Sequence, residues 1–528
     1  MKKTEKGDFN KQSLDLPATL GALKTAGYTV ETVQQELRRN LIASLKTGVN
    51  HFEVLVGYDD TVIPQIQRAI LAGHSMGLLG LRGQAKTMIA RCMVNLLDEF
   101  IPIVKGSEMN DHPLQPVSYY AVHLIEEMGD ETPITWLHRG KRLGEKLATP
   151  DVTIPDLLGD LDPIKAAINK LPYSHPEVLH FGIIPRYNRG IFVINELPDL
   201  PPGIQVGLFN VLQESDLQIR GFNFRLPLDM QFVFTANPED YTQRGAIITP
   251  LKDRIQSQII THYPKTIEDG IRITREQAKF SDDALKKLNI PEIFNRLIEY
   301  IAYHARKSEM IDAKSGVSAR LGITAMELLY GAVEQRKILS GSTKANARIY
   351  DLYAVVPAIT GKVELVFEGE EAGLVGVAYK LIGNAIRSVF SEYFPDPVRI
   401  KALKGSDPYS EIVQWFTSNE ISLASGLTDK EYHARLNKVA GLLTPIKEYI
   451  PRVTKDMEPL FMELVLFGLA EYSILSAVFN DDGAKFNDVM ADLFDGENEL
   501  DEDDEDDYYD DDDDDFDFDD FDSGDLPF

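Results

Sequence analysis

Apolar residues recur with two different periods along this chain, and the way the periods alternate predicts an α/β domain followed by helices. Val33, Leu37, Leu41 and Leu45 return every fourth residue and predict a helix over 32–45, and residues 62–72 predict a second. Short apolar runs, Met76 to Leu79, Ile191-Phe192-Val193-Ile194 and Phe232-Val233-Phe234, read as buried parallel strands. The last two end in Asn195-Glu196 and Thr235-Ala236-Asn237-Pro238, and polar residues at that end of a strand face the ligand crevice of an open α/β sheet. Residues 52–59 read as a strand end with a turn, and residues 205–214 as a helix. Leu217-Gln218-Ile219-Arg220 and Phe222-Asn223-Phe224-Arg225-Leu226 alternate around Gly221 like a small hairpin. Residues 102–180 show no period and read as irregular, apart from a helix opened by Pro163. Further on, 268–345 is helical, with Ile293, Phe294, Leu297, Ile298 and Ile301 on one stripe, and 350–480 alternates helical stretches with Gly and Pro breaks.

Between the first strand and the next helical pattern stands Gly80-Leu81-Arg82-Gly83-Gln84-Ala85-Lys86-Thr87, followed by Met88. A Gly-rich turn from strand to helix is the context of a phosphate-binding loop. Its N–H groups and the helix N-terminus face the phosphates, a lysine neutralises the β/γ oxygens, and a hydroxyl holds Mg²⁺. Such turns also occur as plain structure in α/β domains. Ala85 stands where the loop's second glycine falls, and an alanine fits there only with negative φ. In phosphoryl transfer the strand end at 195–196 carries an Asp for the metal shell and a Glu that polarises the attacking water. Here the acid is present as Glu196, while Asn195 brings an oxygen without charge. Asn237 is placed to orient water or the γ-phosphate. Arg254 could reach a phosphate or make a surface ion pair with its neighbours. Arg320, in the first turn of a helix opened by Gly316-Val317-Ser318-Ala319, opposes the helix dipole unless an anion is near.

Composition adds one change to this picture. The formal net charge is −29, but 20 acids and no Lys or Arg fall in residues 497–528. With that tail set aside, 63 acids face 54 bases, a net charge of −9, and the body offers no basic excess for nucleic acid. The tail is expected to be disordered; its interleaved Tyr and Phe suit docking to a basic partner, with plain solvation by its acids as the other role. A single cysteine, Cys92, and the absence of an apolar leader fit the cytoplasm. The longest apolar stretch, 460–479, contains Glu463 and Glu471 and reads as a buried helix, not a membrane span. The histidines at 74, 112, 138, 175 and 180 lack metal-site spacing, and Trp415-Phe416 reads as core.

Taken in order, the 80–87 loop, Asp156-Leu157-Leu158-Gly159 with Asp162-Pro163-Ile164-Lys165-Ala166, Asn195-Glu196, the hairpin, Thr235 to Pro238, Asp253-Arg254 and Gly316 to Arg320 resemble AAA+ ATPases of the MoxR and magnesium-chelatase I-subunit group. The resemblance covers roughly residues 40–345. It implies a nucleotide-binding α/β domain over 46–265 with a helical lid over 266–345. Outside these lie an N-terminal helical extension (1–45), a helical C-terminal module (346–490) and the acidic tail (491–528). It implies ATP and Mg²⁺ as cofactors. Gly80, Gly83, Gln84, Ala85, Lys86, Thr87 and Met88 would hold the phosphates, with Thr87 and Asn195 at the metal and Gly57 and Tyr58, in Val56-Gly57-Tyr58-Asp59, beside the adenine. Glu196 would activate water, Asn237 and Arg320 would be the two sensors, and Arg254 would act as an arginine finger in a neighbouring subunit's site. A homo-oligomeric ring, commonly a hexamer, follows from that finger. Proteins of the group act with a partner carrying a von Willebrand factor A domain. No Asp-x-Ser-x-Ser signature of such a domain occurs in this chain, so the partner would be separate. The implied function is that of a MoxR-like chaperone ATPase. The alternatives are the motor subunit of a magnesium chelatase in tetrapyrrole synthesis and a nucleotide-locked scaffold that does not hydrolyse.

Overall fold

Thr32 opens the first long helix, α1 (Val33–Thr47), through a reciprocal cap. Its hydroxyl accepts the Gln35 N–H at 3.3 Å while Gln35 Oε1 accepts the Thr32 N–H at 2.9 Å. Val33, Leu37 and Leu41 are buried, but Leu45 is 50% exposed and Ser44 takes the inward position. At about 100° per residue, a strict four-residue repeat drifts by about 40° at each step, so the fourth member leaves the buried face. The second helix, α2 (Val62–Ala72), ends on left-handed Gly73 and leads into the sheet. The computed structural model describes residues 16–489 apart from 174, 215, 218, 220–225, 238–245, 403–406 and 481–482.

The sheet holds β1 (Met76–Leu79), β2 (Leu143–Leu147), β3 (Gly190–Asn195), β4 (Met230–Ala236) and β5 (Ser257–Ile260) in the order β5-β1-β4-β3-β2, every pairing parallel. Alternate residues supply the cores on its two faces: Met76, Leu78, Ile191, Val193 and Val233 on one, Phe192, Ile194, Phe232 and Phe234 on the other. The period-two split of apolar runs into two buried faces is the expected α/β architecture. At about 1.5–3 kcal/mol for each large side chain removed from water, these strands anchor the domain.

The irregular reading of 102–180 does not survive. Phe100–Val104 pairs antiparallel with Ile134–His138, Gly159–Leu161 pairs with Leu179–Phe181, and Leu143–Leu147 joins the main sheet as β2. The last of these escapes pattern reading because its apolar positions are interrupted by Gly144, Glu145 and Lys146. Gly144 is required, since a Cβ there would stand 2.6 Å from both the Phe192 and the Tyr187 rings. Helix Pro163–Asn169 is present, and Asp162 accepts its first N–H groups at 2.9 and 3.0 Å. Residues 52–59 contain no strand, only turns. The hairpin's base pairs Asp216–Leu217 with Leu226–Pro227, while Gln218 and residues 220–225 lie outside the described residues.

The helical segment after β5 contains α3 (Ile267–Gln277), α4 (Ile293–Lys307) and α5 (Arg320–Leu339), and the predicted stripe on α4 is buried throughout. Inside it Glu299 lies against Gly270, where a Cβ would sit 2.0 Å from its carboxyl carbon, and Arg306 stands 3.2 Å away. Burial outweighs Arg306 and pushes the Glu299 carboxyl up to about 7. Asp229, which accepts the Val33 N–H at 3.0 Å, is pushed up to about 6 by the same cause. Both values are raised, so the native chain holds protons that the unfolded chain has released, and stability falls as pH rises through this window. For Glu299, between 4.5 and about 7, the change is on the order of 3 kcal/mol. Glu299→Gln is expected to flatten the decline of the thermal midpoint between about pH 5 and about pH 8. An unchanged slope in melts across that range would contradict the assignment.

By contacts the chain divides into one unit of residues 1–347 with 351–389 and another of 348–350 with 390–528. Residues 351–389, which the sequence reading places in the C-terminal module, therefore pack with the first unit. In the second unit α6 (Glu458–Glu471) is buried from Leu460 to Leu469, and Glu463 accepts the N–H groups of Ile349 and Tyr350 at 2.7 and 3.0 Å. Only the first part of the 460–479 stretch is helix, because Leu475–Asn480 forms a strand. It joins Gly483–Asp488 and Ile421–Ala424 in an antiparallel sheet that helical patterning did not predict. Among the described residues no helix is long and apolar enough to cross a membrane. The acidic tail lies outside them.

Candidate functional site

The loop that leaves β1 is held from below by the end of β5. Thr261 Oγ1 donates to Gln84 Oε1 at 2.8 Å, and Tyr58 Oη stands 3.0 Å from the Gln84 carbonyl and 2.8 Å from the His262 carbonyl. Gly80 must be glycine, because a Cβ would meet Thr261 Oγ1 at 2.0 Å and Gln84 Oε1 at 2.2 Å. Burial pushes Tyr58 up to about 12, so its hydroxyl stays protonated and donates to the loop. From the other side Tyr263, likewise at about 12, donates to the Arg82 carbonyl at 2.9 Å, and Ser318 presses on left-handed Gly83. Gln84, expected among the phosphate ligands, has its side-chain oxygen committed to this scaffold.

Helix Lys86–Met93 begins directly after Ala85, whose φ is +57° and ψ +17°. The expectation of negative φ is thus overturned: the alanine occupies the left-handed conformation that the second glycine of such a loop would adopt without cost. A left-handed L-residue costs about 1–2 kcal/mol. Ala85→Gly is therefore expected to raise the unfolding free energy by up to about 1 kcal/mol, since the new glycine gives part of the gain back as unfolded-chain entropy. Denaturant unfolding checks this, and a loss of stability would contradict it.

Lys86 is buried, and its ammonium donates to the carbonyls of Gly80 and, at 3.0 Å, Leu81. Thr87 donates to Asn195 Oδ1 at 3.3 Å, which ties the loop's helix to the end of β3. The same oxygen accepts from Thr235 of β4 at 3.2 Å, and Thr235 Oγ1 accepts the Glu196 N–H at 3.1 Å. Glu196 is left-handed as well, at φ +54° and ψ +52°. Strained residues at a shared cleft are a mark of functional geometry.

A cavity of about 570 Å³ runs over these groups. It is lined by the polar or loop residues Gly83, Lys86, Thr87, Glu196 and Arg320 and by the largely apolar set Val54, Leu55, Val56, Tyr58 and Ile273. Gln84, Ala85 and Met88 also line it; Gly57, Gly80 and Asn195 do not. Gly57 is left-handed at φ +77° and turns the chain against Asp269. Arg320 is the first residue of α5 and exposed, and this cation, which opposes the helix dipole, lines the same cavity as the 82–87 loop. Asn237 is buried at the end of β4 and does not line the cavity. Arg254 is elsewhere too: it bonds Gln213 at 3.0 Å and the Pro250 carbonyl at 2.7 Å, and covers the Phe209 ring at 4.5 Å.

Asp199, three residues after Glu196, lines the cavity although nothing in the sequence singles it out; Thr235 and Arg82, legible there only as members of the 235–238 and 80–87 stretches, line it too, and Arg82 pairs with Glu364 at 3.0 Å. That ion pair is about half exposed on both sides and contributes less than about 1 kcal/mol. The donor set suits magnesium in kind. Thr87, Glu196 and Asp199 bring hard oxygens to the cavity, the last two as carboxylates, while Asn195 does not line it and its uncharged Oδ1 accepts from Thr87 and Thr235. A second cavity of about 670 Å³, lined by Lys146, Asp156, Asp160, Asp162, His180 and Arg186, is larger. It has mixed charge and no glycine cradle, so volume alone does not make it the site.

No family model matches the chain, and no curated protein matches it. Among solved structures, NtrX from Brucella abortus is 14% identical at a TM-score of 0.30 over 55% of this chain and 55% of that one. This chain thus spans just over half the length of NtrX. The complex between the BchI and BchD subunits of magnesium chelatase gives 19% identity and a TM-score of 0.31 over 61% of this chain and 98% of that chain. A closed-state reconstruction of Hsp104 with ATPγS and FITC-casein gives 13% and 0.37 over 61% and 52%. TM-scores this low establish neither family nor activity.

Proposed function

We propose that the chain is an AAA+ ATPase related to the MoxR and magnesium-chelatase I-subunit group, which binds ATP with Mg²⁺ and hydrolyses it to remodel a protein partner. The observation that carries the reading is the direct link from Thr87 to Asn195 beside Glu196, with Lys86 and Arg320 on the same cavity. Phosphates would lie over the loop N–H groups, and Lys86 would exchange its loop carbonyls for phosphate oxygens. Thr87 and Asn195 would hold Mg²⁺, which supplies charge neutralisation at the β/γ oxygens when bound. Glu196 accepts a proton from the attacking water. Arg320 ties the nucleotide to the lid, and the adenine lies against the apolar wall at 54–58.

Arg254 does not line this cavity, which leaves it for use in a neighbour's cavity and hence a ring, hexameric by resemblance. The client, or a separate partner with a von Willebrand factor A domain, would then respond to lid movement. A second reading is favoured by Asn195: with a neutral residue at the metal, ATP locks the assembly without turnover. Mixing separates the two. Arg254→Ala and Glu196→Gln subunits, each inactive alone, are expected to regain a measurable share of ATPase activity when combined. No recovery, with both variants folded and assembled, would remove the shared-site reading.

A further inference from the structure

We infer that Thr235 is the positioning residue for the carboxylate of Glu196, an assignment that rests on the reading of the cavity as an ATPase site. Thr235 is 1% exposed in a strand whose neighbours are Phe232, Val233, Phe234 and Ala236. Its hydroxyl is used twice. It donates to Asn195 Oδ1 at 3.2 Å and accepts the Glu196 N–H at 3.1 Å. The backbone pairing of β3 with β4 ends at Ile194 opposite Phe234, so the hydroxyl takes the Glu196 N–H one step beyond the ladder. There the chain turns left-handed, and Glu196 lines the cavity instead of continuing the strand.

The second bond fixes the neighbouring amide. Asn195 Oδ1 accepts from Thr235 on one side and Thr87 on the other. One hydroxyl from the intervening strand therefore sets the orientation of the metal-side amide and the backbone of the water-activating residue. A valine would fill the same space and supply neither bond.

The test compares Thr235→Val, which keeps the shape, with Thr235→Ser, which keeps the hydroxyl. Steady-state kinetics should show kcat reduced about 10- to 100-fold in the valine variant with KM for ATP within about threefold, and near wild-type values in the serine variant. In a Glu196→Gln background the valine change should alter residual turnover less than about twofold, because no carboxylate remains to be positioned. The Mg²⁺ concentration for half-maximal binding of a fluorescent ATP analogue should shift at least about threefold in Thr235→Val, through release of Asn195, and stay put in Thr235→Ser. Equal kcat in wild type and Thr235→Val would overturn the inference, as would parallel losses of affinity and turnover in both variants. If the wild type binds ATP but does not turn it over, hydrolysis fails on its own account. The inference for Glu196 then falls with it, and the Mg²⁺ midpoint reads the second bond alone: a shift confined to the valine variant upholds the hold of Thr235 on the Asn195 amide, and no shift rejects that too.

Discussion

Glu196→Gln should lower ATP turnover by on the order of 10²- to 10⁴-fold and leave ATP bound. The amide keeps the size of the side chain and its left-handed backbone, because the Glu196 N–H still reaches Thr235 Oγ1. What is lost is the group that accepts a proton from water. The loss should therefore appear in kcat, with affinity for ATP within a few-fold of wild type and a trapped nucleotide recoverable from the purified variant. Phosphate release under saturating ATP, paired with an equilibrium titration, reads both quantities. Unchanged turnover would remove Glu196 from the chemistry.

Lys86→Ala acts on the other half of the site. Its ammonium is buried at the head of helix Lys86–Met93 and rests on the Gly80 and Leu81 carbonyls, ready to be exchanged for phosphate oxygens. A charge-assisted bond is worth about 1.5–3 kcal/mol, so losing the contacts to two phosphates should weaken ATP binding on the order of 100-fold or more. Turnover falls with it. Because the lysine also braces the loop through the Gly80 and Leu81 carbonyls, a melting curve accompanies the titration. A folded variant with wild-type affinity would contradict the phosphate-loop assignment.

Much of this site could be read in the sequence because its parts are local. A strand, a Gly-rich turn and a helix put Lys86 and Thr87 at one end of β1, and a β-branched run places Asn195 and Glu196 at the end of β3. The helix start at Arg320 was equally legible. What escaped depends on neighbours distant in sequence. β2 is paired into the sheet although its middle residues are Gly144, Glu145 and Lys146, and tertiary packing against Phe192 overrides that weak pattern. Thr235 is an unremarkable strand threonine until β3 is laid beside it. Ala85 illustrates the limit in the other direction: its conformation is set by the loop and its braces, not by alanine's own preference. The three-stranded sheet of the second unit joins 421–424 to 475–480 and 483–488, too far apart for periodicity to connect.

Asn195 is where sequence and geometry leave opposite expectations. Its missing charge argues against a tightly held metal, while its carbonyl oxygen is held by Thr87 and Thr235 and the carboxylates of Glu196 and Asp199 belong to residues that line the cavity. The balance between them decides whether the cavity turns ATP over or only grips it. The most direct measurement is phosphate release by the purified wild-type chain with Mg²⁺ and ATP across a range of protein concentrations. The account predicts a rate above background that rises per subunit as the chain assembles and disappears in Glu196→Gln. A background rate at every concentration, alongside saturable ATP binding, would contradict it.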